Sequence, residues 1–239
     1  EELPYYCGAE GNIRSYDTNN PWNIIAENDF IAGGFLWTGT DYIGEAGWPS
    51  HGWPAGLFDI CMVEKPRAAF HRAMWNDEPM VRIAVRDNAL DIDHGRDLWQ
   101  WPNMAAIWNF PRAYEGLVIE VNTTTNCERV ALFHNGNEMG VRRTADYPNH
   151  TITWCLPYRR GTLVAKGING TDTVAVHEIR TAGDAVRLKA TADRGKLMAD
   201  GQDLSYVQVE LLDKDGTLVQ HADRRMKASI EGEGRLVGF

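Results

Sequence analysis

The sequence predicts a mixed fold, with a short α/β segment followed by two antiparallel β-sandwich modules. Three observations carry this. Residues 30–37 form an apolar run, interrupted by glycines, between two helical patterns. From residue 77 onward the hydrophobic period switches to two. Turn signals then recur at short intervals, with Asn135-Gly136 the strongest and a linker at Arg180-Thr181-Ala182-Gly183 dividing the β region.

In chain order, Asn20-Pro21 reads as an N-cap and first-turn proline opening a helix to about Asn28. The run Phe30–Trp37 reads as a strand buried on both faces, as in a parallel sheet. A loop rich in Gly, Pro and Trp spans about 38–59, and Pro66 opens a second helix with Ala69/Ala73 and Phe70/Met74 pairs at i, i+4. This is one piece of a repeating α/β unit, too small to bury a sheet by itself. In residues 77–180, Leu117, Ile119 and Val121 alternate, as do Val130 and Leu132, then Ile152, Trp154 and Leu156. Such strands indicate a sandwich. In residues 181–239, Val186, Leu188 and Ala190 alternate, then Val207, Val209 and Leu211, with a turn at Asp213–Gly216. Four or five strands are expected there.

Composition narrows the function classes. With 33 acidic and 24 basic residues the net charge is −9, and the basic residues form no long cluster. That argues against nucleic acid or an anionic membrane as partner. The four cysteines, Cys7, Cys61, Cys127 and Cys155, show no zinc spacing; Cys127 and Cys155 fall in predicted strands and are either neighbours or free buried thiols. The seven histidines show no metal-ligand spacing, and Asp213-Lys214-Asp215-Gly216 lacks the remaining ligands of a calcium loop. Asn122, Asn149 and Asn169 open glycosylation-type triplets, a pattern that also arises by chance. Nine tryptophans are many for 239 residues. In a parallel barrel, functional side chains gather where a strand runs into its following loop. Here that point holds Trp37, Asp41 and Glu45, a surface suited to gripping a sugar ring, with Glu45 read as a solvated loop charge.

Several motifs together resemble the C-terminal part of glycoside hydrolase family 2, the β-galactosidase and β-glucuronidase family. They are Leu3-Pro4-Tyr5-Tyr6, Arg14-Ser15-Tyr16-Asp17, Asn20-Pro21-Trp22, the run Gly33 to Tyr42, Gly56-Leu57-Phe58-Asp59 and Lys65-Pro66. The resemblance implies that residues 1–76 are the last strands and helices of a (β/α)8 TIM barrel. It makes residues 77–180 one immunoglobulin-like β-sandwich and 181–239 a truncated second one. It also implies a retaining glycosidase, most like a β-galactosidase, using two carboxyl groups. The nucleophile would match Glu1, with Glu2 the fallback, and the acid/base would lie upstream, so the chain alone would be inactive. Trp37 matches the tryptophan lining the subsite of the cleaved sugar, and Asp41 a hydroxyl anchor. Trp48 and Trp53 would form a rim. Thr38-Gly39-Thr40 departs from the bulkier residues of the best-known β-galactosidases, which leaves the sugar open. No cofactor is required; some relatives bind Mg²⁺ or Na⁺ through ligands not recognisable here. The partner would be a carbohydrate substrate, not nucleic acid or membrane, with oligomers possible and a secreted or periplasmic setting favoured. The rival reading is a non-catalytic carbohydrate-binding module presenting Trp99, Trp101, Trp108 and Tyr114 on one face.

Overall fold

The computed structural model describes residues 21–45, 51–53, 55–86 and 104–238. The chain divides after Thr181 into two compact units.

The first unit begins with helix α1 (Pro21–Glu27), as Pro21 predicts, and reaches helix α2 (Ala68–Trp75) through a loop region. Between them lies a two-residue ribbon, β1 (Tyr42–Ile43) against β2 (Gly52–Trp53). The buried strand expected over residues 30–37 is absent. Phe30, Phe35 and Trp37 are exposed, and no described strand pairs with the run. An apolar run becomes a buried strand only where neighbours cover both its faces, and among the described residues none does. No barrel sheet is therefore visible in this segment. The second helix behaves as its spacing requires. Ala69 and Ala73 bury against Met80, and Trp75 meets Trp22 of α1 edge to face at 5.7 Å.

The rest of the unit is an antiparallel β-sandwich. One sheet has the order β4 (Met104–Ala105), β3 (Val81–Arg86), β5 (Val118–Thr125), β8 (Thr151–Pro157). The facing sheet has the order β10 (Asp172–Arg180), β9 (Thr162–Asn169), β6 (Arg129–His134), β7 (Asn137–Arg143). The chain changes sheet between β5 and β6, between β7 and β8, and between β8 and β9, the Greek-key habit of such sandwiches. The residues that alternate in sequence meet in the core: Ile119 and Val121, Val130 and Leu132, Ile152, Trp154 and Leu156. Asn135-Gly136 turns the β6–β7 hairpin with both residues left-handed, at φ 51° and 81°. Asn126 fastens α2 to the sandwich. Its Nδ2 donates to the carbonyls of Asn76 and Glu78, and its Oδ1 accepts the Met80 N–H. Cys155 is disulfide-bonded, whereas Cys127 is a free buried thiol, so the two do not bridge each other.

The second unit, residues 182–239, holds fewer strands than expected. Among its described residues one ribbon forms, β11 (Arg187–Ala192) against β12 (Val207–Leu212), with an isolated bridge from Leu212 to Leu218. The alternating pattern marked these two strands correctly. The intervening residues have no alternation long enough to make more. The expected turn at Asp213–Gly216 is present: Asp213 Oδ1 accepts the N–H groups of Asp215 and Thr217, and Gly216 sits at φ 86°.

Candidate functional site

The backbone that follows Trp37 is held in a small platform. Leu57 and Phe58 donate their N–H groups to the carbonyls of Thr38 and Gly39, and Asp41 donates back to Phe58. Lys65 then closes the third run by donating its backbone N–H to Leu57. These bonds fix the strand-like stretch 38–41, so the indole immediately before it projects from an ordered base. The Trp37–Thr38 peptide bond is cis.

Trp37 is 63% exposed, which leaves a ring face free to stack. Its polar edge is engaged. Nε1 donates to the Tyr42 hydroxyl at 3.1 Å, and that hydroxyl donates to Glu45 Oε2 at 2.7 Å. The two rings meet edge to face at 6.2 Å. The Tyr42 pKa reflects both neighbours. The Trp37 hydrogen bond favours the phenolate and is the largest single influence, but the hydrogen bond to Glu45, desolvation and the Glu45 charge together outweigh it and the net shift is upward. The phenol therefore keeps its proton and donates it in a hydrogen bond to Glu45. Glu45 is exposed, as a solvated loop charge would be, and also closes this chain of hydrogen bonds. Its own backbone is left-handed at φ 45°.

Asp41 sits on the opposite side of the platform's bonding pattern. Its Oδ1 accepts the Gly56 N–H at 2.7 Å, and Lys65 Nζ lies 2.6 Å from Oδ2. The Asp41 side chain is only 13% exposed. Arg67 holds the other pole of the same residue, donating Nε to the Gly56 carbonyl at 2.8 Å. Asp41 and Arg67 thus clamp Gly56 by its N–H and its C=O. As placed, the Asp41 carboxylate organises the loop before it can meet a ligand.

Trp53 is half-buried in β2, directly opposite Tyr42 across the ribbon. Glu1, its fallback Glu2, and Trp48 lie outside the described residues, as do Trp99 and Trp101. The structure therefore brings Trp37, Asp41 and Trp53 into one segment. Sequence reasoning missed the partners Tyr42, Gly56, Lys65 and Arg67. Three of these stood inside quoted motifs, but nothing in a motif says which side chain meets which. A cleft of about 550 Å³ opens elsewhere on the sandwich, lined by Arg129, Arg143, Tyr147 and His150 among others, and none of the sequence-predicted site residues lines it. Among the described residues no group of three His, Cys, Asp or Glu side chains is placed to hold a metal ion, and no helix is long and apolar enough to cross a membrane.

The aromatic face required by the binding-module reading does not form from the residues described. Trp108 is fully buried and donates Nε1 to the Arg159 carbonyl. Tyr114 packs on the same core, stacked against Phe110 at 5.7 Å.

Comparison with known proteins agrees with this architecture. Residues 188–239 match the model of the glycoside hydrolase family 2 C-terminal domain 5, and residues 116–175 match a domain of unknown function (DUF4982). A β-galactosidase of Bacteroides ovatus, BoGH2A, is 31% identical over 218 residues, covering 90% of this chain and 23% of that protein. A solved glycosyl hydrolase family 2 member from Bacteroides cellulosilyticus superposes with a TM-score of 0.76 at 32% identity, over 84% of this chain and 28% of the other. The chain belongs to glycoside hydrolase family 2. A β-glucuronidase of Formosa agariphila is a more distant relative, 23% identical over 88% of this chain and 19% of its own length. This family 2 chain therefore spans about a quarter of the length of the relatives it matches. Its β-sandwich is the part of the family's architecture that the fold displays directly.

Proposed function

We propose that this chain is the C-terminal portion of a retaining β-glycosidase, with Trp37 as the platform for the sugar being cleaved. The observation that carries the reading is an indole two-thirds open to solvent yet fixed at its base by backbone hydrogen bonds and at its edge by Tyr42. A rigid, exposed aromatic face pays little ordering entropy when a pyranose stacks on it. In this reading residues 1–76 complete a (β/α)8 barrel, and the apolar run 30–37 gains the neighbouring strands that bury it. Residues 77–180 and 181–239 are trailing immunoglobulin-like modules.

Double displacement then assigns the remaining parts. Glu1 is the nucleophile attacking the anomeric carbon, and a second carboxyl about 5–5.5 Å away protonates the leaving oxygen and later activates water. Asp41 holds the Gly56 loop and offers what remains of its carboxylate to a sugar hydroxyl. Trp53 and Trp48 border the leaving-group side. The β-galactosidase relative supports a β-galactoside as substrate.

The test is kinetic, on the complete enzyme that carries this chain. Trp37→Ala should lower kcat/KM for an aryl β-galactoside by about 10- to 100-fold, and Trp37→Phe should recover part of the loss. An unchanged kcat/KM in Trp37→Ala would remove the platform from the mechanism.

A further inference from the structure

The relay at the edge of the indole points past stacking, toward which sugars the platform accepts. Indole N–H can only donate, and here it donates to Tyr42, so it is not free to bind a sugar hydroxyl. The Tyr42 hydroxyl donates to Glu45 Oε2, so the chain of hydrogen bonds ends on a carboxylate acceptor. The polar edge of the platform thus ends in a carboxylate two hydrogen bonds from the ring.

Among the described residues, the cations of the adjoining loop and helix are engaged with other partners. Lys65 is paired with Asp41, Arg67 is turned onto the Gly56 carbonyl, and Arg72 is paired with Glu64 at 2.8 Å. The hydrogen-bond partner the structure shows for the Glu45 carboxylate is a neutral phenol. A uronic acid carries a carboxylate of its own on the ring, and recognising it calls for a cation in matching geometry. Placed beside Glu45 it would meet a like charge instead, the repulsive half of specificity.

We propose that Glu45, acting through Tyr42, is a positioning and selectivity residue that orients the Trp37 ring and turns away anionic sugars in favour of neutral β-galactosides. This rests on Trp37 being the sugar platform, and the experiment separates the two claims. The complete enzyme is assayed with aryl β-galactoside and aryl β-glucuronide, at low and high ionic strength, as wild type, Glu45→Gln, Glu45→Lys and Trp37→Ala. Glu45→Gln should move the ratio of kcat/KM values toward the glucuronide by about fivefold at low salt, the size expected for removing one charge at this range in a partly hydrated site. High salt should shrink that shift. Glu45→Lys should move it further in the same direction. An unchanged ratio in both Glu45 variants, with Trp37→Ala still impaired on either sugar, overturns the selectivity role and leaves the platform intact. A Trp37→Ala enzyme with undiminished activity on both sugars removes the platform itself.

Discussion

Gly56 shows how tightly single residues are specified around the indole. A Cβ added there would lie 2.2 Å from the Asp41 nitrogen and 2.3 Å from the Thr40 carbonyl carbon, both backbone atoms that cannot swing aside. Its N–H and C=O are also the two poles clamped by Asp41 and Arg67. Gly56→Ala should therefore push the 38–41 stretch off its hydrogen-bonded neighbours, at a cost of about 2–4 kcal/mol. A thermal melt of the variant checks the first consequence, and loss of aryl-galactoside turnover the second. A variant that melts with the wild type and keeps its turnover would mean the close approach can relax. This constraint was only half legible in sequence. Gly56-Leu57-Phe58-Asp59 stood out as a motif, but the reason a glycine is needed comes from Thr40 and Asp41, some fifteen residues earlier. The same holds for Asp41. Its type and place were readable, whereas its pairing with Lys65 depends on how the loop folds back.

At the scale of elements, legibility follows how local the deciding interaction is. The β6–β7 turn is local: Asn and Gly tolerate left-handed backbone, so the dipeptide alone predicts the hairpin. Asn135 also does something that no dipeptide announces. Its Oδ1 accepts the Thr162 N–H at 2.8 Å and its Nδ2 donates to the Arg160 carbonyl at 3.1 Å, tying the hairpin to the loop before β9. Asn135→Ala should lose these bonds as well as the turn preference and destabilise the first unit by about 1–3 kcal/mol. Asn135→Asp keeps the acceptor and should fall between. Chemical denaturation of the three proteins tests the order, and equal midpoints would refute the cross-link. The strands of the sandwich were legible because alternation marks one buried face. The run 30–37 is exposed here because the same apolar composition describes a buried strand and an exposed segment alike; only partner strands distinguish them, and none of the described residues supplies one. In the second unit the alternation of 186–190 and 207–211 found its ribbon, but strand number depends on pairing, which composition does not state.

For the whole molecule, two histidines in the first unit link its stability to pH. His177, on β10, accepts the Ile83 N–H with Nδ1 at 3.0 Å, bonding β10 to β3 in the facing sheet. His71 on α2 is buried beside the rings of Phe70 and Trp75. Burial first, then a neighbouring guanidinium (Arg82 for His177, Arg67 for His71), lowers each from 6.5 to about 4. A depressed folded-state pKa means that the unfolded chain takes up the proton first. Their contribution is fully present above pH 6.5 and is lost as pH falls from 6.5 through about 4. Allowing for partial solvent access, each is worth about 1–2 kcal/mol across that window. Among the described residues, the carboxylates with lowered pKa values, Asp193, Asp200 and Asp213, all belong to the second unit and lose their contributions only below their usual range near 3.8. Melting of the first unit should therefore fall in temperature between pH 6.5 and 4 while the second unit is still unaffected by its own groups. His177→Asn keeps an acceptor for the Ile83 N–H without a titrating ring, and should flatten that slope by about half. If His177→Asn and His71→Phe together leave the slope as steep as in the wild type, the acid sensitivity lies in other groups, and the hydrogen bond between the sheets is no proton sensor.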